Sequence, residues 1–281
     1  MKFKIGIITE SFRKPVREAL RLAKELGADG VQMYAVKGDV SPEISAAQRK
    51  DLVTFIRALD LEISALCGDL GGHGFAAAKD NPAKIDRSKR IVDLAVDLGT
   101  NIVTTHIGVI PTDKKAERYA VLRDACSELA KYAASKGVTF AIETGPETAA
   151  VLAAFLDDIG SKGIGANLDP ANLVMVTGDD PVKAVSTLRK YIVHTHAKDG
   201  VKLAACDTEE VYDAFAKGGI EGFDFGKLFN EVPLGKGGVK WDAYLKALAD
   251  IGYKGYLTIE REVGANPVDD IRAAVQFLRG A

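Results

Sequence analysis

The sequence predicts a single (β/α)8 barrel, and three observations carry that expectation. The chain has 281 residues, close to the size of one such barrel. Eight short β-branched runs alternate with stretches of helical period from end to end, as repeated βαβ units around a parallel sheet require. No GxGxxG follows the first run, which weighs against an open dinucleotide-binding sheet.

In chain order the runs are Ile5–Thr9, Gly30–Tyr34, Glu62–Leu66, Ile102–His106, Thr139–Glu143, Gly165–Asp169, Ile192–His196 and Tyr256–Glu260. Five are introduced alike, in LGADGVQMY, LGTNIVTTH, SKGVTFAIE, SKGIGANLD and IGYKGYLTIE: a helix ends, glycine takes the positive φ of its cap, and a buried strand follows. Between the runs, Val16, Ala19, Leu20, Ala23 and Leu26 share one helical face. Ile91, Leu94, Ala95 and Leu98 share another, and Leu122, Cys126, Leu129 and Ala133 a third. Ser41-Pro42 and Asn81-Pro82 read as helix starts, with Pro in the first turn. The spacing is even except between the seventh and eighth runs. There a long loop insertion at about 199–240 is expected to cover the active site or build an oligomer contact. No linker interrupts the pattern, so residues 1–281 read as one domain.

Composition narrows the class. Apolar residues make up 47% and charged residues 27%, which excludes disorder. The net charge of −2, from 37 basic and 39 acidic side chains, argues against nucleic acid as a partner. No apolar run approaches the roughly 20 residues that span a bilayer, so no membrane partner is expected. The stretch MKFKIGIITESF reads as a first strand and not as a signal peptide. Cys67, Cys126 and Cys206 form no CxxC and fit a reducing cytoplasm, the expected location. No P-loop is present, and the Gly-rich stretches at 71–74 and 235–238 are weak phosphate signals.

Active sites of such barrels lie at the carboxyl ends of the strands. Runs four to eight end in His106, Glu143, Asp169, His196 and Glu260, and Glu10 follows run one at once. Period-two alternation places Ala141 and Thr139 inside with Glu143, Asn167 and Gly165 with Asp169, His194 with His196, and Thr258 with Glu260. The bulky Ile142, Leu168, Val193 and Ile259 then face the helices. Glu143, Asp169, His196 and Glu260 come from four successive runs. Three carboxylates and an imidazole converging on one point repel unless a cation joins them. Mostly oxygen ligands with one nitrogen suit Mn²⁺, Mg²⁺ or Co²⁺, with Zn²⁺ also compatible.

The segments AIETGPET, GANLDPANL, IVHTHAKDG and GYKGYLTIERE, with the stretch PLGKGGVKWDAYLKALADIGYKGYLTIE, resemble the sugar phosphate isomerase/epimerase family of xylose-isomerase-like barrels. That group includes ketose 3-epimerases, inosose dehydratase and endonuclease IV, and the resemblance covers nearly the whole chain. It implies a TIM barrel with a divalent metal, Mn²⁺ first, held by Glu143, Asp169, His196 and Glu260. It further implies a carbohydrate substrate, a metal-stabilised enediolate with Glu143 and Glu260 as the acid/base pair, and a homo-oligomer, dimer or tetramer. This sequence departs from the ketose 3-epimerases at two positions that touch substrate in those enzymes. Asn172 stands where they carry His, and Lys198-Asp199-Gly200 covers a stretch where they carry Arg. Glu147 lies near their second glutamate, the alternative being a surface loop residue.

The remaining candidates each have a plain structural alternative. His106 faces the mouth as a substrate contact or a satisfied structural histidine, and His194 reads as a packed core residue one layer deeper. His73, in the loop GDLGGHGF, either approaches a ligand or only accompanies a chain turn. Glu10 and Tyr34 are placed to hydrogen-bond sugar hydroxyls. Lys198 binds an anionic substrate group or is a solvated loop lysine, and Glu262 shares the face of Glu260. Trp241 and Phe225 are more readily packing residues than sugar-stacking ones. The expected function is a metal-dependent sugar or keto-sugar isomerase or epimerase, with or without a phosphate on the substrate. The nearest alternative keeps the enediolate and expels a β-group, making a lyase or dehydratase of a keto-sugar, keto-inositol or keto-glycoside. An endonuclease IV-like phosphodiesterase needs more histidines than these four, and a non-catalytic sugar-binding protein does not need the ligand set.

Overall fold

A computed structural model describes residues 3–218 and 223–281. Eight parallel strands close into a barrel. They are β1 (Lys4–Ile8), β2 (Gly30–Tyr34), β3 (Glu62–Cys67), β4 (Ile102–Thr105), β5 (Thr139–Glu143), β6 (Ile164–Leu168), β7 (Ile192–Ala197) and β10 (Tyr256–Ile259). Around the barrel they follow the order β1-β10-β7-β6-β5-β4-β3-β2. Each coincides with one of the eight runs to within a residue at either end. The helices that follow them are α1 (Val16–Glu25), α2 (Ala46–Ala58), α3 (Asn81–Leu98), α4 (Glu117–Ser135), α5 (Ala149–Ile159), the single turn α6 (Pro170–Asn172), α7 (Pro181–Thr187), α9 (Trp241–Asp250) and α10 (Pro267–Gly280).

The core lies where the periodicities meet. Ile142, Leu168 and Ile259 point out of the barrel into the helix layer and are buried there. The faces anticipated on α3 and α4, Ile91-Leu94-Ala95-Leu98 and Leu122-Cys126-Leu129-Ala133, are buried against them. Removing a stripe of this kind from water contributes about 25 cal/mol per Å² of apolar surface, the main term holding helices to the barrel.

Three local expectations are corrected. Ser41-Pro42 does not open a helix: α2 starts after Ser45, whose hydroxyl accepts from the Gln48 N–H while the Gln48 side chain accepts from the Ser45 N–H. That reciprocal capping box satisfies two free amides, which Ser41 has no partner to do. In SKGIGANLD the left-handed cap is Gly160 (φ 61°), upstream of Gly163. Gly163 is needed for a different reason, since a Cβ there would collide with the Ala130 carbonyl of α4. The 199–240 insertion is not a plain loop. β8 (Asp199–Lys202) and β9 (Phe229–Val232) form an antiparallel ribbon, and α8 (Thr208–Ala216) lies between them. Residues 219–222 of the insertion lie outside the described residues. Among the described residues no helix is long and apolar enough to cross a membrane.

Candidate active site and metal centre

The ends of four adjacent strands, β5, β6, β7 and β10, bring Glu143, Asp169, His196 and Glu260 together. Each offers one ligand atom, and these atoms lie within 4.8 Å of one another, all on buried residues. The chain at the β5 and β6 ends is clamped by Thr144, whose hydroxyl accepts from the Asp169 N–H (2.8 Å) and donates to the Asp169 carbonyl (2.9 Å). Asp169 Oδ1 then accepts from the Asn172 N–H at 2.8 Å, capping α6 and leaving Oδ2 for the centre. His196 Nδ1 stands 3.4 Å from Glu143 Oε1, 3.3 Å from Asp169 Oδ2 and 3.3 Å from Glu260 Oε2.

Burial opposes the His196 imidazolium, but Glu143, Glu260 and Asp169 outweigh it and hold its pKa well above 6.5. Lys198 supplies a second positive group. It is buried, its Nζ lies 3.0 Å from Glu260 Oε2, and it also pairs with Glu262. Burial likewise opposes the Glu260 carboxylate, and Lys198 and His196 overcome that and hold it well below 4.5. Three buried carboxylates around a single imidazole nitrogen are a donor set that fits a divalent cation, with mixed oxygen and nitrogen ligands.

Beneath the quartet lies a polar floor. Asn167 Nδ2 donates to Glu143 Oε2 at 3.2 Å, and Asn172 Nδ2 donates to Glu143 Oε1 at 3.2 Å, so both oxygens of that carboxylate are held. His194 Nδ1 meets Asn167 Oδ1 at 2.9 Å, and its Nε2 meets the Thr258 hydroxyl at 3.0 Å. The amide oxygen only accepts, which assigns the His194 proton to Nδ1 and leaves Nε2 to accept from Thr258. Burial, reinforced by His196, keeps His194 well below its usual pKa and neutral. Gln32 Oε1 lies 3.3 Å from His196 Nε2, orienting the ring from the side away from the carboxylates.

A cavity of ≈ 230 Å³ opens over the quartet. Tyr34, His106, Asn172 and Lys198 line it, together with Glu143, Glu260 and Glu262. His106 Nδ1 is 3.2 Å from Asp69 Oδ2 and its Nε2 is 3.7 Å from Glu143 Oε1. Burial would lower its pKa, yet Glu143 and Asp69 push it up to about 10.

Other expected contacts stand elsewhere. Glu10 is outside the cavity lining, its carboxylate taken by the Thr9 hydroxyl (2.8 Å) and the Tyr34 N–H (3.2 Å). His73 sits in a neighbouring cleft, 3.5 Å from Asp213. Trp241 is buried and donates its indole N–H to Asp199 Oδ2 at 3.0 Å. Phe225 stacks on Phe215 with ring centroids 4.4 Å apart. The glycine-rich 235–238 stretch does not present its amides to a phosphate. Gly235 and Gly237 donate to Asp199 Oδ2 at 3.0 Å each, and Val239 donates to Asp199 Oδ1 at 3.2 Å.

Glu147 is no surface loop residue. It is 6% exposed, and neither carboxylate oxygen has a hydrogen-bond partner among the described residues. Burial pushes its pKa up to about 8 from an ordinary 4.5. The folded-state value lies above the unfolded one, so the group costs nothing below pH 4.5 and progressively more as pH rises to about 8. Glu147→Gln is therefore expected to stabilise the fold by roughly 1–3 kcal/mol at the upper end of that window and by nothing at its foot. Thermal melts of both proteins across the window check this, and a pH-independent difference would count against it.

Four residues escaped sequence reasoning: Gln32, which meets His196, and Asp69, Cys67 and Tyr212, which also line the cavity. Gln32 and Cys67 were open to it, since Gln32 is two residues from Tyr34 in GVQMY and Cys67 extends run three. Asp69 holds His106 from the next loop. Tyr212 reaches the cavity from α8, and a helix within an insertion carries no local mark of where it docks.

The model of the family described as xylose isomerase-like TIM barrel matches residues 20–281. A comparison with curated proteins gives no match. Among solved structures, a xylose isomerase domain protein from Planctomyces limnophilus shares 25% identity at TM-score 0.80, covering 99% of this chain and 96% of that one. A probable 3-DHS dehydratase involved in petrobactin synthesis, from Bacillus anthracis, shares 20% identity at TM-score 0.75, with 98% of each chain covered. A D-psicose 3-epimerase in the presence of D-fructose shares 18% identity at TM-score 0.75, with 99% of each covered. The last two likenesses speak for the fold alone.

Proposed function

Because the chain belongs to the xylose isomerase-like TIM barrel family, we propose that it is a metal-dependent enzyme that isomerises or epimerises a sugar or keto-sugar. The observation that carries this reading is the closure of Glu143, Asp169, His196 and Glu260 within 4.8 Å of one another under a polar cavity. These four residues would hold the cation, with Mn²⁺ the first choice and Mg²⁺, Co²⁺ and Zn²⁺ compatible. When bound, it supplies Lewis-acid stabilisation of the negative charge that develops on the substrate's oxygens.

The chain's own groups move the proton. Glu143 and Glu260 stand on strands separated by β6 and β7, so they reach a substrate from different sides. One takes the carbon-bound proton to leave an enediolate and the other returns it, which inverts the centre. Asn167 and Asn172 fix the Glu143 carboxylate through both oxygens, and Lys198 keeps Glu260 ionised and ready to accept. A carbohydrate partner, a homo-oligomeric state and a cytoplasmic location belong to the same proposal.

One observation favours a second outcome from the same site. Lys198 lines the cavity beside Glu260, where an ammonium would protonate a departing hydroxyl or glycosyl oxygen. The enzyme would then be a lyase or dehydratase, distinguished by an unsaturated ketone in place of an epimer. Nuclease-type chemistry has little support here: of the four histidines, His194 is engaged at both nitrogens and His73 lies outside the cavity.

The general test is a sugar and keto-sugar panel with added metal, read as proton exchange in deuterated water. No exchange on any member would defeat the reading. A second test addresses the ligand set. His196→Ala is expected to lower metal content well below that of His194→Ala in folded protein, because only His196 faces the three carboxylates. Equal losses by elemental analysis would mean the ligand assignment is wrong.

A further inference from the structure

One oxygen of the quartet is shared with a buried cation of the chain itself. Glu260 Oε2 stands 3.3 Å from His196 Nδ1, the nitrogen that faces all three carboxylates, and the same oxygen accepts from Lys198 Nζ at 3.0 Å. The Lys198 side chain is 4% exposed, so little water screens its ammonium from the quartet. Its backbone is not free to carry it away. The neighbouring Asp199 is tied to the Gly235, Gly237 and Val239 amides and to the Trp241 indole.

A second acceptor stands within reach. Glu262 also takes the Lys198 ammonium, but its side chain is 58% exposed and lines the cavity. The Glu262 backbone is pinned: its N–H donates to both Glu231 carboxylate oxygens at 3.2 Å, and its carbonyl accepts from Arg13 at 2.9 Å. Lys198 is thus shared between a buried carboxylate that belongs to the quartet and a more exposed one that does not. A divalent cation held by the four ligands meets this ammonium as a like charge and competes with it for the Glu260 carboxylate. The more of the ammonium that Glu262 holds, the weaker that competition becomes.

We propose that Lys198 sets the affinity of the quartet for its metal: the ammonium weakens the hold on the cation, and Glu262 relieves this by drawing the ammonium toward the cavity. This rests on the metal reading given above and concerns the strength of the centre, not its existence. A lysine that only braced Glu260 would act in the opposite direction, since its loss would loosen a ligand and weaken binding. The sign of one substitution therefore separates the two roles.

The full chain, stripped with chelator and free of substrate, is titrated with Mn²⁺ at fixed pH, and free Mn²⁺ is read by electron paramagnetic resonance. Lys198→Met keeps an unbranched side chain and removes the charge. It is expected to bind Mn²⁺ more than about tenfold tighter than wild type. Glu262→Gln is expected to bind it at least about threefold more weakly, and to have almost no effect in the Lys198→Met background, because an exposed carboxylate acting alone is screened. Circular dichroism checks the fold of each variant. Equal or weaker binding by Lys198→Met overturns the proposal, as does a Glu262→Gln loss that persists undiminished in the double variant. If Lys198→Met fails to fold, Glu262→Gln still decides: unchanged affinity overturns the proposal and a loss supports it. Wild type that shows no Mn²⁺ binding sensitive to His196→Ala would sink the metal reading itself. Wild-type binding that Lys198→Met leaves unchanged would sink only the role of Lys198.

Discussion

Replacing Glu143 or Glu260 with Gln is expected to abolish turnover of the true substrate while the barrel stays folded. The amide keeps the shape and can coordinate through its oxygen, but it has no lone pair basic enough to take a proton from carbon. General acid–base groups contribute about 10²–10⁴-fold, and weaker cation binding adds to the loss. The two variants should differ in detail. Glu143→Gln places an amide against the Asn167 and Asn172 side-chain N–H groups, so one donor pair must face another. Glu260→Gln strands the Lys198 ammonium with Glu262 alone. If one variant still exchanged the substrate proton with solvent while losing net conversion, two bases on distinct faces would be supported. If both kept more than about a tenth of wild-type activity, neither carboxylate would be the base.

The second large effect is on stability. Asp199 is 1% exposed and accepts from Gly200, Gly235, Gly237 and Val239 amides and from the Trp241 indole. One carboxylate thus ties β8 to the chain entering α9. Asp199→Ala strands five donors at once. An unsatisfied buried donor costs about 1–3 kcal/mol, and partial rehydration of the loop limits the total to roughly 3–5 kcal/mol. For a chain of this size each kcal/mol moves the melting temperature by about 2–4 °C, so a fall of roughly 6–20 °C is expected in a thermal melt. A shift under about 2 °C would show that the loop holds without this anchor. Asp199→Asn, which keeps one acceptor oxygen, should lie between.

The barrel and its quartet are legible in the sequence because both are periodic. Eight runs mark the strands, and period two within them is enough to separate Glu143, Asn167, His194 and Thr258 from Ile142, Leu168 and Ile259. What escapes is contact made by tertiary docking. Nothing local to AKGGIEGFDF or EVPLGKGG says that β8 and β9 pair, that Asp199 fills the glycine-rich amides, or that Tyr212 lands above His106. Trp241 illustrates the ambiguity. An aromatic near a predicted site reads equally as a sugar platform or an anchor, and only its indole bond to Asp199 decides. Glu147 is the opposite case, a carboxylate whose lack of partners among the described residues becomes visible only once its neighbours are placed.

The polar floor under the quartet has a consequence for isotopes. Asn167 meets Glu143 with a donor, its oxygen is taken by the His194 N–H, and the remaining His194 nitrogen is closed by Thr258. His194 is also held neutral. Among the described residues a proton received by Glu143 therefore finds no acceptor below it, and the barrel axis acts as an insulator. Label lifted from substrate carbon can leave only through the cavity mouth, on the side of Tyr34, His106 and Lys198. The fraction of tritium or deuterium washed out per turnover then measures how long that mouth stays shut relative to proton return. Because Asn167 still meets Glu143 with a donor, Thr258→Ala should leave that fraction unchanged, whereas changes at the mouth should move it.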